Sequence, residues 1–337
     1  MKALVLIGGR GTRLRPLTLS TPKPLLPIAN REFVRYQLDV LQGAVDEVLL
    51  CAADPAPFKR ALGSRTGRIK LSYLSEDRPL GTAGAVKNAA ARLGDEREFL
   101  VLNGDVLNTL DVRAFVAAHR RSKALATVAL TRVADPTTYG LVRVAANGRV
   151  TEFVEKPSAD EVDTNVVNAG LYVFSRPALH EFGDSPSLER DVFPRLLSMH
   201  QLSAFEMKGY WIDIGTMDRY LQVHFDLFGG RTGLPVPKGS RPTLDGGRLL
   251  AGRGTKIDPT ARFSGHVSLG AGVRIDAGAA LKDCVVLDGA RIGENARIER
   301  CVIGPRCVVG RRAELLRGPR GACCLAEKSR VEEFSLL

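Results

Sequence analysis

Short apolar runs alternate with amphipathic segments along the first 230 residues of the chain. The apolar runs are "KALVLI", "DEVLLCA", "IKLSYLSE" and "EFLVLNGD", each long enough for one buried strand. Between or after them lie "FVRYQLDVLQ", "PFKRALGSR", "GTAGAVKNAAARL" and "DVRAFVAAHRRS", which have helical periodicity. This rhythm predicts βαβ units with right-handed crossovers, and therefore an α/β domain with a mostly parallel sheet covered on both faces.

The next stretch indicates an antiparallel addition to that sheet. In "LVRVAANGRVTEFVEKP" the pair Asn147-Gly148 separates two alternating runs, which is the turn chemistry of a type I′ hairpin. A strand "NVVNAGLYVF", a helix "LERDVFPRLLSMH", a strand pair ending in "YWIDIG" and a helix "TMDRYLQVHFDLF" follow. We therefore expect a mixed sheet, and a first domain over residues 1–230.

A different periodicity begins after residues 231–255, which are rich in glycine and proline and predict a linker. Aliphatic or aromatic residues then recur every six positions, with one shorter step at 287 to 292 and another at 298 to 303. Such hexapeptide repeats predict a parallel β-helix over residues 256–316, followed by a C-terminal tail over 317–337. The repeat positions are Ile257, Phe263, Leu269, Ile275, Leu281, Leu287, Ile292, Ile298, Ile303, Val309 and Leu315.

The composition leaves two classes of function open. A net charge of +11 suits either a nucleic-acid binder or an enzyme of phosphorylated substrates. The arginines are scattered and aromatic residues make up only 6% of the chain, so the basic stripe with interleaved aromatics of a nucleic-acid binder is missing. The enzyme is therefore the favoured class, with no nucleic-acid partner.

The sequence lacks the patterns typical of a membrane segment and of a zinc site. No apolar stretch approaches the roughly 20 residues of a membrane span, and "MKALVLI" is too short for a signal peptide, so we expect a cytoplasmic protein with no membrane partner. The six cysteines form no C-x-x-C pair, which predicts free thiols and neither zinc nor disulfides.

The stretch "GGRGTRLRPLT", directly after the first strand, predicts an anion site. Gly8, Gly9 and Gly11 allow backbone N–H groups to approach a phosphate closely, and Arg13 and Arg15 add cationic side chains. The loop lacks the third glycine of the dinucleotide fingerprint and the G-K-[ST] of the P-loop. It is therefore a phosphate loop of a third kind, and a tight turn with solvated arginines is the alternative.

Further motifs favour the phosphate loop over the tight turn. In "STPKPLLPIAN", Lys23 lies between two prolines that restrict its backbone, which suits the delivery of an ammonium group to one place. Together with "EDRPLGTAGAV", "LNGDV", "FVEKP", "NAGLYVF" and "YWIDIGT", these stretches resemble the motifs of the sugar-1-phosphate nucleotidyltransferases, in the order of that family. The resemblance covers about residues 1–316 and implies a Rossmann-like catalytic domain followed by a left-handed parallel β-helix.

The resemblance implies transfer of a nucleotide from a nucleoside triphosphate to a sugar 1-phosphate, with release of pyrophosphate. Asp105 and Asp213 each end an apolar strand, and two carboxylates with phosphate oxygens suit Mg²⁺, which we expect as the cofactor. Arg13 and Lys23 join them as the expected catalytic residues, because in-line phosphoryl chemistry depends on positioning and charge neutralisation.

The family's other site residues are carried over by motif. The carry-over gives nucleotide contacts at Leu6, Gly8, Gly9, Gly11, Thr12, Glu76, Pro79, Gly81, Thr82 and Asn103, and sugar phosphate contacts at Gly140, Glu155, Lys156 and Asn168.

Among the branches of the family, the chain is most similar to the guanylyltransferases that act on mannose 1-phosphate. One departure is Gly104, where that branch often has serine. Uracil- and thymine-using members carry glutamine at the position of Glu76, and a carboxylate can instead accept from both N1–H and N2 of guanine. We therefore expect GTP, with an adenylyl-, thymidylyl- or uridylyltransferase as the alternative.

A non-catalytic relative, acting as a regulatory or translation-factor subunit, is the alternative from another class. Such relatives are expected to lose catalytic residues, whereas the expected catalytic set is complete in this chain. The stacked faces of the repeats also predict a homo-oligomer.

Overall fold

The computed structural model describes residues 1–318 and 321–337, which divide into two compact units. The first unit comprises residues 1–9 and 36–211, and the second comprises residues 10–35 and 212–337. The second unit therefore combines most of the glycine-arginine loop with the C-terminal part of the chain.

Helices and strands are numbered in chain order. The α-helices are α1 (Phe33–Val40), α2 (Ala56–Leu62), α3 (Gly81–Leu93), α4 (Val112–Ser122), α5 (Phe193–Ser198) and α6 (Met217–Phe228). Up to α6 the strands are β1 (Lys2–Leu6), β2 (Pro27–Ile28), β3 (Arg31–Glu32), β4 (Glu47–Ala52), β5 (Arg65–Thr66), β6 (Ile69–Ser75), β7 (Glu98–Asn103), β8 (Val106–Asn108), β9 (Ala126–Arg132), β10 (Gly140–Val144), β11 (Val150–Glu155), β12 (Val166–Ser175), β13 (Leu202–Glu206) and β14 (Trp211–Asp213). After α6 they are β15 (Arg241–Pro242), β16 (Arg248–Ala251), β17 (Lys256–Ile257), β18 (Arg262–Leu269), β19 (Arg274–Ile275), β20 (Ala280–Val286), β21 (Arg291–Ile292), β22 (Arg297–Glu299), β23 (Cys301–Ile303), β24 (Val308–Val309), β25 (Glu314–Leu315), β26 (Cys323–Leu325) and β27 (Arg330–Val331).

The first unit is built on a mixed sheet. Strand β1 lies between β4 and β7 and is parallel to both, and β6 adds a further parallel strand beside β4. Beyond β7 the sheet changes direction, because β12 is antiparallel to both β7 and β9 and is followed by the antiparallel strands β10 and β11. The expectation of a mixed sheet is confirmed, but its description as mostly parallel was wrong.

The turn between β10 and β11 differs from the predicted type I′ hairpin. Gly148 has φ 79°, whereas Asn147 lies outside the left-handed region that a type I′ turn requires of both central residues. The Gly148 N–H donates to the carbonyl of Ala145 at 2.9 Å, and the register shifts by one residue beside Val144. The strands are thus joined by a longer turn that ends in a left-handed glycine and a bulge.

The strand-rich C-terminal part consists of parallel ladders. One ladder runs β17–β19–β21–β24–β27, a second runs β18–β20–β22–β25, and a third runs β16–β18–β20–β23–β26. The interior between them is filled by side chains of the repeat positions, such as Leu269, Ile292 and Leu315, all buried. Each two- or three-residue strand is too short to bury a face alone, so the apolar core depends on this stacking.

One position of the predicted repeat is corrected. Val286, and not Leu287, pairs with Leu269 on one side and Ile303 on the other, and it belongs to the buried core. The first shortened step therefore falls between Leu281 and Val286. Both Val286 and Leu287 are apolar, so the local pattern could not distinguish them.

The ladders extend beyond the predicted repeat at both ends. Strand β16, in the segment predicted as a linker, pairs in parallel with β18. In the segment predicted as a tail, β26 pairs with β23 and β27 pairs with β24. Residues 319 and 320 of that tail lie outside the described residues.

Helix α6 and residues 10–35 pack with these ladders inside the second unit. His266 of β18 lies against the rings of Phe225 and Phe228 of α6. The Tyr220 hydroxyl donates to the carbonyl of Pro27 at 2.6 Å, and Asn30 Nδ2 donates to the carbonyl of Leu269 at 2.7 Å. The segment that carries Arg13 and Lys23 is therefore held by α6 and by the repeat strands. Among the described residues, none of the helices combines the length and apolar composition needed to cross a bilayer.

Candidate functional site

In the first unit, Gly8 and Glu76 lie together just beyond the ends of β1 and β6, two parallel strands that flank β4. Glu76 follows β6, is 7% exposed, and its N–H donates to the carbonyl of Ala52 at 3.0 Å. A Cβ placed on Gly8 would lie 3.0 Å from a carboxylate oxygen of Glu76. Burial raises the pKa of Glu76, and a backbone hydrogen bond from Leu80 opposes that rise. A buried acceptor group thus lies directly against the first glycine of the loop.

The Gly81–Thr82 turn at the start of α3 is packed closely against residues 186–189. Gly81 has φ 75°, and a Cβ there would lie 2.1 Å from the carbonyl oxygen of Pro186, so only glycine fits. The Thr82 hydroxyl donates to Glu189 Oε2 at 2.9 Å and accepts from the Leu188 N–H at 2.8 Å. The Thr82 side chain is therefore engaged within the protein. Pro79, two residues before Gly81, is exposed.

Asn103, Gly104 and Asp105 follow one another where β7 ends beside β1. Asn103 pairs with Leu6, and the Gly104 N–H donates to the carbonyl of Leu6 at 2.9 Å. A Cβ on Gly104 would lie 2.5 Å from that same oxygen, so the turn as it stands favours glycine. Gln37 Nε2 donates to the carbonyl of Asn103 at 2.9 Å and to that of Val106 at 2.8 Å, so the turn that presents half-buried Asp105 is held on both sides.

The predicted sugar phosphate residues Gly140, Glu155 and Asn168 lie on β10, β11 and β12, and Lys156 directly follows β11. Gly140 pairs with Glu155, and a Cβ on Gly140 would lie 3.1 Å from Glu155 Oε2. Lys156 has φ 56°, its N–H donates to the carbonyl of Tyr139 at 2.9 Å, and its side chain is exposed. Asn168 Nδ2 donates to the hydroxyl of Tyr172 at 2.8 Å.

The charge of Glu189 acts on the carboxyl group of Glu155 in this region. Burial and then the neighbouring Glu189 charge raise the pKa of Glu155, while Lys156 and Arg190 act in the opposite direction. Glu189 was missed by the sequence analysis. The stretch "SLERD" carried a local signal, because Ser187 is the N-cap of a π-helical turn (Leu188–Val192) and its hydroxyl accepts from the Arg190 N–H at 3.1 Å.

In the second unit, the glycine-arginine loop folds back on itself. Gly11 has φ 59°, and a Cβ there would lie 3.2 Å from Cβ of Lys23. Thr18 Oγ1 donates to the carbonyl of Gly11 at 2.8 Å. Lys23 begins a 3-10 turn (Lys23–Leu25) and is 9% exposed, whereas Arg13, in the 3-10 turn Thr12–Leu14, is exposed. The structure thus brings Gly11 and Lys23 together.

The side chains of Asp213 and Arg13 both lie close to Gly215. A Cβ on Gly215 would lie 2.4 Å from Asp213 Oδ2 and 3.2 Å from Nη2 of Arg13. Asp213 is 7% exposed, and its Oδ1 accepts from Nη1 of Arg219 at 2.5 Å. The sequence analysis missed Gly215 and Arg219, although Thr216, the N-cap of α6, follows Gly215 directly.

The carboxylates expected to hold a metal lie one in each unit, Asp105 in the first and Asp213 in the second. Within the part of the chain that the structure describes, there is no group of three or more histidine, cysteine, aspartate or glutamate side chains that could hold a metal ion. Each of these carboxylates by itself suits a hard cation, since carboxylate oxygens are the ligands that Mg²⁺ prefers when substrate phosphates supply the others.

Comparison with known proteins agrees with this arrangement of motifs. Residues 2–228 match the family model of nucleotidyl transferases, and residues 246–337 match that of the GMPPB C-terminal domain. The chain is 37% identical over 297 residues to a mannose-1-phosphate guanylyltransferase of Mycobacterium tuberculosis, covering 86% of this chain and 80% of the relative. It is 34% identical to mannose-1-phosphate guanylyltransferase 1 of Arabidopsis thaliana over 87% of this chain and 82% of that protein. The family indicated by the sequence motifs is confirmed, and the chain belongs to the nucleotidyl transferase family of enzymes.

Proposed function

We propose that the protein transfers GMP from GTP to mannose 1-phosphate, giving GDP-mannose and pyrophosphate. The observation that carries the choice of base is the buried carboxylate of Glu76 against Gly8. The names of the relatives from M. tuberculosis and A. thaliana support the same base and sugar.

The proposed reaction is an in-line attack of a sugar phosphate oxygen on the α-phosphorus of the triphosphate. The bond from the α-phosphorus to the bridging oxygen of pyrophosphate breaks as the new phosphorus–oxygen bond forms. Asp105 and Asp213 would hold Mg²⁺, which supplies charge neutralisation at the phosphates. Arg13 and Lys23 neutralise the triphosphate as pyrophosphate leaves, because preorganised cations are effective where negative charge develops.

The remaining contacts are proposed as the family resemblance implies them. Leu6, Gly8, Gly9, Gly11, Thr12, Glu76, Pro79, Gly81, Thr82 and Asn103 surround the nucleotide, and Gly140, Glu155, Lys156 and Asn168 hold the sugar phosphate. The engaged hydroxyl of Thr82 restricts its part to the backbone, which begins a helix and offers N–H groups.

Replacing Glu76 by glutamine is expected to lower the discrimination in favour of guanine. The carboxylate accepts from N1–H and N2 of guanine, whereas the amide presents a donor where an acceptor is needed. The loss is expected at about 1–3 kcal/mol, the usual scale for an unmatched buried polar pair. The measurement is kcat/KM for GTP, ATP, dTTP and UTP with both proteins, with the rate of pyrophosphate release as the readout.

Acidification provides an independent check of Glu76. Because burial raises the pKa of Glu76, the acceptor is lost on lowering the pH earlier than an exposed glutamate would lose it. The preference for GTP should therefore weaken as the pH falls in the wild type, and the glutamine variant should lack this dependence. A wild-type preference for another base, or an unchanged profile in the variant, would contradict the assignment. No turnover with any nucleotide would favour the non-catalytic alternative.

For the C-terminal part we propose a left-handed parallel β-helix that serves self-association. The parallel ladders and the apolar interior support this architecture, and stacked flat faces suit a symmetric contact. Light scattering on the full chain should give a multiple of 36.4 kDa at micromolar concentration. A monomer at that concentration would refute the oligomer. Truncation at Gly230 is not a clean test, because it would also expose α6, which packs against His266.

A further inference from the structure

Residues 186–189 complete the N-terminus of α3 in place of a capping side chain. The residue before the helix, Leu80, provides no side-chain cap. Instead the carbonyl of Pro186 accepts from the Ala83 N–H at 3.1 Å, and the Leu188 N–H donates to Oγ1 of Thr82 at 2.8 Å. The first turn of α3 is therefore positioned by a segment more than 100 residues away, as the separation of 106 between Leu188 and Thr82 shows.

Glu189 is the centre of this contact. Its Oε2 accepts from the hydroxyl of Thr82 at 2.9 Å and from the hydroxyl of Ser187 at 3.1 Å. Its Oε1 accepts from the hydroxyl of Tyr172 at 3.2 Å. All three donors are neutral hydroxyl groups, and the only charge among these four side chains is that of Glu189. One carboxylate therefore fixes the orientation of three hydroxyl groups.

The same carboxylate is linked to the proposed sugar site. Tyr172 is buried on β12, and its hydroxyl accepts from Nδ2 of Asn168 at 2.8 Å. Asn168 Oδ1 in turn accepts from the Gly170 N–H at 2.9 Å, which fixes the side chain at both ends. Glu189 also lies close enough to Glu155 for its charge to act on that carboxyl. Thr82 and Asn168, assigned to different substrates, are thus connected through Glu189.

We propose that Glu189 is a positioning residue that couples the two substrate sites, by fixing the Gly81–Thr82 turn and the Asn168 side chain relative to each other. This inference rests on the proposed function only for the choice of substrates. A hydrogen-bonded network around one charge loses several contacts together when the charge is removed.

The test begins with Glu189→Gln, which keeps the shape and removes the charge. We expect KM to rise about tenfold for both GTP and mannose 1-phosphate, because hydrogen bonds to charged groups are lost at both ends of the network. Thr82→Val should raise mainly the KM for GTP, and Tyr172→Phe mainly that for mannose 1-phosphate. In the Glu189→Gln background, each of these changes should add less than about twofold, because the contact it removes is already weakened.

Glu152→Gln is the matched control, since Glu152 lies on β11 in an exposed ion pair with Arg143 and outside the network. It should leave both KM values unchanged. A merely structural role would appear as a lower melting temperature of Glu189→Gln with both KM values within twofold of the wild type, and this result would overturn the proposal. The proposal would also be overturned if Thr82→Val and Tyr172→Phe raised KM in the Glu189→Gln background by the same factors as in the wild type.

A second measurement keeps the proposal testable if Glu189→Gln does not fold. The double variant Thr82→Val, Tyr172→Phe should then differ from the product of its single variants by more than about threefold, and strict independence would overturn the coupling. The substrate preference of the wild-type protein tells failure of the proposed function apart from failure of the coupling. If it prefers another nucleotide or sugar phosphate, the same variants are measured with that pair.

Discussion

Replacing Asp105 or Asp213 by alanine is expected to lower kcat by about 10²–10⁴, since a metal contributes several kcal/mol of charge stabilisation and each 1.36 kcal/mol is tenfold in rate. Asp105 lies in the turn that follows β7, and Asp213 is the last residue of β14. Asp105 follows the Gly104 that is hydrogen-bonded to Leu6, and Asp213 is buried beside Gly215. The measurement is pyrophosphate release at saturating GTP and mannose 1-phosphate over a range of Mg²⁺ concentrations.

The fold is expected to tolerate both aspartate changes. Loss of Asp213 leaves Arg219 without this partner, but the Arg219 side chain is 30% exposed and can be hydrated. Asp184→Ala, which changes an exposed ion pair with Lys87, serves as the control with unchanged kcat. Near-normal rates in both site variants would show that these carboxylates do not hold the metal.

Gly215→Ala is expected to lower kcat by about 10²-fold while the protein remains folded, on the scale that a misplacement of about 1 Å costs in catalysis. The added methyl group would lie 2.4 Å from Asp213 Oδ2 and 3.2 Å from Nη2 of Arg13, so both side chains must move. Gly215 does not have positive φ, so alanine introduces no backbone strain there. The expected loss therefore comes from displaced side chains.

Gly318→Ala is the matched control for Gly215→Ala. Within the described residues, no atom lies within 4 Å of a Cβ placed on Gly318, and this glycine also lacks positive φ. The control should keep the wild-type kcat and melting temperature. If Gly215→Ala retains the wild-type kcat, Asp213 and Arg13 do not need the positions that the structure gives them.

Much of the fold follows from local sequence patterns. The segment predicted as the third helix, "GTAGAVKNAAARL", is α3 (Gly81–Leu93). Its buried residues Val86, Ala89 and Leu93 recur at i, i+3 and i+7 on one helical face, and Gly94 ends it with φ 63°. Strand β4, with buried Val48, follows from its apolar run in the same way. These predictions succeed because burial of one face leaves a periodic signal in the residues themselves.

The sequence alone also indicated the loop glycines, the proline-flanked Lys23 and the family to which the chain belongs, because these features depend on residues close together in the chain. Tertiary structure decided which of the neighbours Val286 and Leu287 takes the repeat position in register with Leu269 and Ile303, and placed Glu189 beside Thr82 and Tyr172. Neither result leaves a local signal. Two adjacent apolar residues can be told apart only by their register with strands from other turns of the repeat. The half-buried carboxylate of Glu189 receives hydrogen bonds from hydroxyl groups that reach it only when distant segments pack together.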